Sequence, residues 1–200
     1  MEFQDVVRKR RMVRSFTAEP VAPETVDRML RNAVRAPSAG FSQGFSFLVL
    51  TEPKDRERFW SATTPQSGRD MSTWLEGMRA APVLIVALCS KAAYLGRYAE
   101  PDKGWTDRDE SRWPVPYWHV DAGMASLLIL QTVVDEGLGA CFFGIGAGEQ
   151  STFREAFGVP DEWAPTGVVA VGHPAPGGAV GSSARRPRKA LDDVVHRGTW

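Results

Sequence analysis

The run PVLIVALC, residues 82 to 89, constrains the fold more than any other stretch, because it holds no charge along its whole length. A short apolar run of this kind reads as a central strand buried on both faces. The chain must then supply cover for two sides of a sheet. One cover is PETVDRMLRNAVRA, residues 23 to 36, which begins with a proline suited to a first helical turn. It places Val26, Met29, Leu30, Ala33 and Val34 on one helical face. A second is WHVDAGMASLLILQTVVDE, from Trp118 to Glu136, where Leu127 to Leu130 make the helix apolar on nearly every side. A helix apolar all round must be buried all round. A second copy of the chain is the expected cover, with a central helix in a monomer as the alternative.

The remaining segments read in order as a strand at Phe45 to Thr51, helices around PKDRERFW and DMSTWLEGMRAA, strand GACFFGI, helix EQSTFREAFGVP and strand PTGVVAVG. Strand, helix and strand do not repeat regularly, so the expectation is an α+β fold with a central, mostly antiparallel sheet flanked by helices. With 200 residues, 43% of them hydrophobic, one domain over 1–200 suffices to bury a core. Lys91 to Pro116 mixes aromatic and charged residues without a period and reads as a lid-like excursion. Within it Trp105 and Trp113, and just after it Trp118, line a pocket or pack a loop, whereas Trp60, Trp74 and Trp163 read as core. A PAPGGAVGSS linker leads to a basic tail at 184–200.

The 24 basic and 24 acidic residues balance, so no global field draws the chain to nucleic acid or to an anionic membrane. Two local patches stand out: Lys9, Arg10, Arg11 and Arg14 near the start, and Arg185, Arg186, Arg188 and Lys189 in the tail. Each is either a solvated surface or a seat for a small anion such as a phosphate monoester, which clustered guanidinium groups bind through charge-assisted bonds. Cys89 and Cys141 form neither a disulfide framework nor a CxxC motif. With no apolar signal core at the N-terminus and no run long enough to span a membrane, the expected setting is the reducing cytoplasm. His119, His173 and His196 lack metal-ligand spacing, and no GxSxG elbow is present. GIGAGE, Gly144 to Glu149, lies between a strand and a helix but departs from GxGxxG and has no downstream acid for a ribose. Its glycines suit close approach of backbone N–H groups to a flat ligand.

The turn in RAPSAGFSQGF sets Ser38, Ser42 and Gln43 around Gly40 and Gly44, between a helix and a strand. Together with RRMVRSF near the start, GLGACFFGIG, FGVPDEWAPTGVVAVGHP and RRPRKALDDVV in the tail, it resembles the nitroreductase family of flavin enzymes across essentially the whole chain. The resemblance implies an intertwined homodimer with FMN bound at the interface by residues of both subunits. Arg10, Arg11 and Arg14 would hold its phosphate, helped by Arg186 or Arg188. Pro37, Ser38 and Gln43 would flank the isoalloxazine and ribityl chain, and Phe142, Phe143 and Gly144 would lie along the flavin face and reactive edge. The chain departs from the pattern twice: Phe41 stands in place of the asparagine of a PSxxN motif, and Met12 where a serine often follows the paired basic residues.

The activity so implied is transfer of two electrons from NAD(P)H through FMN to a small electron-poor acceptor such as a nitroaromatic or quinone. The flavin carries the chemistry, and no side chain is singled out as an acid or base. An FMN-storing protein with little turnover and a flavin-dependent dehydrogenase of a small metabolite are the alternatives. No metal, nucleic-acid or membrane partner is expected.

Overall fold

The computed structural model describes residues 1–64, 72–177 and 186–200. Residues 178–183 of the linker, Ala184 and Arg185 of the tail, and Asp70 and Met71 at the start of the fourth helical segment lie outside the described residues. The helices are α1 (Phe3–Lys9), α2 (Pro23–Ala33), α3 (Pro53–Thr63), α4 (Ser72–Arg79), α5 (Lys91–Tyr98), α6 (Tyr117–Asp135) and α7 (Gln150–Phe157). The strands are β1 (Phe45–Leu50), β2 (Val83–Cys89), β3 (Gly139–Phe143) and β4 (Ala164–Gly172).

The four strands form one antiparallel sheet in the order β1-β2-β4-β3. Every residue of β2 is buried. Alternate residues of a strand face opposite ways, and the two faces meet different helices. Leu84, Val86 and Leu88, with Val168 and Ala170 of β4, pack against Phe59 and Trp60 of α3, Met78 of α4 and Phe153 of α7. Val83 and Ile85, with Val169 and Val171, pack against Val26, Met29 and Ala33 of α2 and Ile129, Leu130 and Val133 of α6. The α+β fold with a central antiparallel sheet is thus the expected one, and helical layers cover both faces of the apolar strand.

One local reading changes and two that were left open are narrowed. The excursion begins with a helix: the Ser90 hydroxyl accepts the Ala93 N–H at 3.3 Å and starts α5. Tyr94 is the buried residue of α5, so the helix shows almost no apolar period in the sequence. Helix α6 is not buried all round within one chain. Its sheet-facing side is buried, but Tyr117, Val120 and Leu127 remain between 40% and 44% exposed. Finally, Trp105 and Trp113 pack on Tyr98, with ring centroids 4.9 and 4.6 Å from it, and so consolidate a loop. No helix among the described residues is long and apolar enough to cross a membrane.

Candidate functional site

The basic segment runs along the outer edge of β3. Met12 bridges Ala140 in parallel, the Val13 N–H donates to Ala140 O at 2.8 Å, and the Phe142 N–H donates to Met12 Sδ at 3.4 Å. Helix α4 presses the same segment from one side, since a Cβ added at Gly77 would lie 2.3 Å from the Arg14 carbonyl oxygen. The Arg14 guanidinium donates to Met12 O at 3.3 Å and opposes the upward push of burial on the nearby Cys141 thiol. Among the described residues, no carboxylate lies within ion-pair distance of Arg10, Arg11 or Arg14. Three guanidinium groups left without a counter-charge on one short segment suit a phosphate monoester.

Phe142 lies across Gly167, where an added Cβ would come within 2.2 Å of its ring. Phe143 stacks on Trp60 at 5.7 Å and 7°. Beyond it Gly144 is exposed, with open space where a Cβ would stand. A cavity of about 120 Å³ opens beside it, walled by Trp60, Thr64, Trp74 and Phe143.

The turn from Pro37 to Gln43 precedes β1. The Ser38 hydroxyl oxygen accepts the Gln43 N–H at 3.0 Å, and the Ser42 hydroxyl donates to Ala39 O at 2.6 Å. Two of the three polar side chains therefore close the turn, while Ser38 keeps its proton to donate and the exposed Gln43 keeps its amide. Gly40, Phe41 and Gln43 all have positive φ, at 59°, 57° and 49°. For Phe41 and Gln43 this is strained backbone, which persists only where the surroundings impose it. They do so here through residues that sequence reasoning missed. The Ala39 N–H donates to Asp121 Oδ2 at 2.8 Å, Tyr94 O–H donates to the same oxygen at 2.7 Å, and Arg97 Nε donates to Gly40 O at 2.9 Å. Tyr98 fills the space against Gly40, where a Cβ would meet its ring at 2.5 Å. One signal was legible, because Asp121 is the sole charge between Val120 and Val134.

Strand pairing puts the basic segment and the turn at opposite ends of the sheet: the turn runs into Phe45, which pairs with Cys89 and through it with Ala164, whereas Met12 lies beside Ala140, which pairs with Val171 and through it with Val83. They also stand on opposite edges, with β2, β4 and β3 between, four strand spacings or about 19 Å across the sheet. At the end of the sheet nearest the turn, His119 of α6 sets its Nδ1 3.1 Å from Thr166 Oγ1 and 3.3 Å from Cys89 Sγ. Burial lowers the His119 pKa and raises that of the Cys89 thiol, so both groups are neutral at pH 7.

The model of the nitroreductase family matches residues 7–173, taking in the basic segment, the turn and all four strands. The chain belongs to the nitroreductase family. A relative from Methanothermobacter thermautotrophicus, named "Putative NADH dehydrogenase/NAD(P)H nitroreductase", is 24% identical over 178 residues, or 88% of this chain and 78% of its own. The solved nitroreductase family protein of Streptococcus pneumoniae matches with a TM-score of 0.74 at 20% identity, over 98% of this chain and 100% of that one. A Desulfovibrio desulfuricans chain solved in complex with FMN matches with a TM-score of 0.70 at 22% identity, over 100% of this chain and 98% of its own. These likenesses establish the nitroreductase fold.

Within that fold the two departures acquire surroundings. Met12 spends its sulfur on the edge N–H of Phe142. Phe41 is 72% exposed, an aromatic ring displayed on strained backbone. Arg186 and Arg188 are exposed and, among the described residues, have no carboxylate at ion-pair distance.

Proposed function

We propose that this nitroreductase-family chain is an FMN-dependent NAD(P)H oxidoreductase. The observation that carries the reading is the segment of Arg10, Arg11 and Arg14, without a carboxylate at ion-pair distance among the described residues, laid along β3, the strand that leads into open backbone at Gly144. FMN, when bound, would accept a hydride from NAD(P)H and pass two electrons to an electron-poor acceptor such as a quinone or nitroaromatic. The chain supplies binding and orientation. Arg10, Arg11 and Arg14 hold the phosphate, and Arg186 or Arg188 adds charge from the tail. Pro37, Ser38 and Gln43 flank the ribityl chain and ring system. Phe142 and Phe143 exclude water along the flavin face, and Gly144, having no side chain, lets a backbone N–H approach the reactive edge.

The phosphate-binding and ring-flanking groups stand on opposite edges of one sheet, so a site using both takes one group from each of two copies. The homodimer surface we propose is the apolar stripe of Tyr117, Val120 and Leu127 on α6, continued by Phe3 and Val7 of α1, which packs beside it. Contiguous exposed apolar patches rimmed by polar residues mark protein–protein interfaces. Free, buried Cys89 and Cys141 suit work in the reducing cytoplasm.

The test is an absorption spectrum of the purified protein after incubation with FMN, followed by anaerobic titration with NADH and NADPH and turnover with a quinone. Bound flavin, bleached by either nucleotide and restored by the quinone, is the expected result. Protein that takes up no FMN refutes the reading. Bound flavin that neither nucleotide reduces would favour storage, and bleaching by a small metabolite alone would favour the dehydrogenase.

A further inference from the structure

Asp121 is 1% exposed, and among the described residues no cation lies within ion-pair distance of it. Both hydrogen bonds it accepts end on one oxygen, Oδ2, and come from the Ala39 amide and the Tyr94 hydroxyl. Burial first, and then the bond to Asp121, push the Tyr94 phenol far above its ordinary pKa, so it remains a donor. A buried carboxylate held by neutral donors alone carries a desolvation cost that an apolar residue would not. Its neighbours Trp118, Ala122 and Ala125 are buried too, so an apolar side chain would suit the position. What the carboxylate adds is a fixed place for the Ala39 amide, one residue before the left-handed pair Gly40 and Phe41.

We propose that Asp121 is a positioning residue for flavin binding: from the buried side of α6 it fixes the Pro37–Gln43 turn, so that the Ser38 hydroxyl, the Phe41 ring and the Gln43 amide face the ligand together. The inference rests on the reading of that turn as the ring-flanking half of an FMN site. Asp121 itself touches no ligand. Arg97, donating to Gly40 O from α5, is the second tie on the same turn and is itself held by Asp102 at 2.7 and 2.8 Å.

Three variants test it. Asp121→Ala leaves the Ala39 and Tyr94 donors without their acceptor, whereas Asp121→Asn keeps an oxygen that can serve both. Val133→Ala, on the same helix but packed in the α2-facing cluster, lowers stability without touching the turn. The first readout needs no flavin. Amide exchange of residues 36–44 in flavin-free protein, followed by mass spectrometry, should accelerate in Asp121→Ala relative to exchange of the sheet. In Asp121→Asn it should stay near wild type, and in Val133→Ala turn and sheet should change together. The second readout is affinity by fluorescence quenching. Asp121→Ala should weaken FMN and riboflavin alike by roughly tenfold or more, and Asp121→Asn should restore most of that loss. Turn exchange unchanged in Asp121→Ala overturns the proposal. So does an affinity loss no greater than that of Val133→Ala at matched stability. Wild-type protein that binds neither flavin refutes the reading of the site and the ligand half of the proposal. The exchange measurement then decides whether Asp121 sets the turn.

Discussion

Arg14→Ala separates a phosphate anchor from a structural arginine, and the expected magnitudes differ. The backbone at Arg14 is held independently of its side chain, by the Val13 bond to Ala140 O, the Phe16 N–H bond to Gly77 O at 3.3 Å and the close face of Gly77. Truncation removes one intramolecular hydrogen bond, a 3.3 Å contact with Met12 O. A bond of that kind contributes about 0.5–1.5 kcal/mol, and this one is long, so the fold should lose about 1 kcal/mol or less. A charge-assisted bond to a phosphate is worth roughly 1.5–3 kcal/mol, which at about 1.4 kcal/mol per decade weakens FMN by about 10- to 150-fold. Riboflavin has no phosphate and should bind the variant as it binds wild type. Fluorescence quenching with both ligands, alongside a thermal melt, reads all three quantities. Parallel loss of FMN and riboflavin would show that Arg14 supports the fold. No loss of either would make the basic segment a solvated surface.

Gly77→Ala should destabilise the protein by about 1–3 kcal/mol, because the new methyl would meet the Arg14 carbonyl; a rise in Tm, as the better helix propensity of alanine alone would give, refutes the close packing. Leu127→Glu, on the exposed side of α6, should shift sedimentation from dimer to monomer while the far-UV spectrum stays unchanged, and an undiminished dimer would move the interface elsewhere. Because burial lowers the His119 pKa, the unfolded chain binds a proton that the folded chain does not. That contribution to stability is fully present above the ordinary histidine value of about 6.5 and is lost as pH falls through it towards the lowered one. His119→Gln should therefore flatten the acid side of a Tm-against-pH profile, and an unaltered slope would assign it to other groups.

The sequence by itself determined which segments must be buried. PVLIVALC could only be a strand covered on both faces, and the apolar face of residues 23–36 could only be a helix laid on it, because burial follows from residue type and spacing. It also marked the two candidate half-sites, a guanidinium cluster and a short polar turn, whose ligand only the family resemblance implied. Helix α5 was not legible, because a helix that buries little beyond Tyr94 leaves no period to read. Nor was the division of labour inside the turn, where Ser38 and Ser42 close the loop on itself while Asp121, from a position 82 residues along the chain, fixes it. Tertiary structure alone decided that the half-sites stand on opposite edges of the sheet and towards opposite ends of its strands. The distance across the sheet follows from β4 inserting between β2 and β3. Strand order is set by pairing between residues far apart in sequence, and nothing local to RRMVRSF or APSAGFSQGF encodes which strands will come between them.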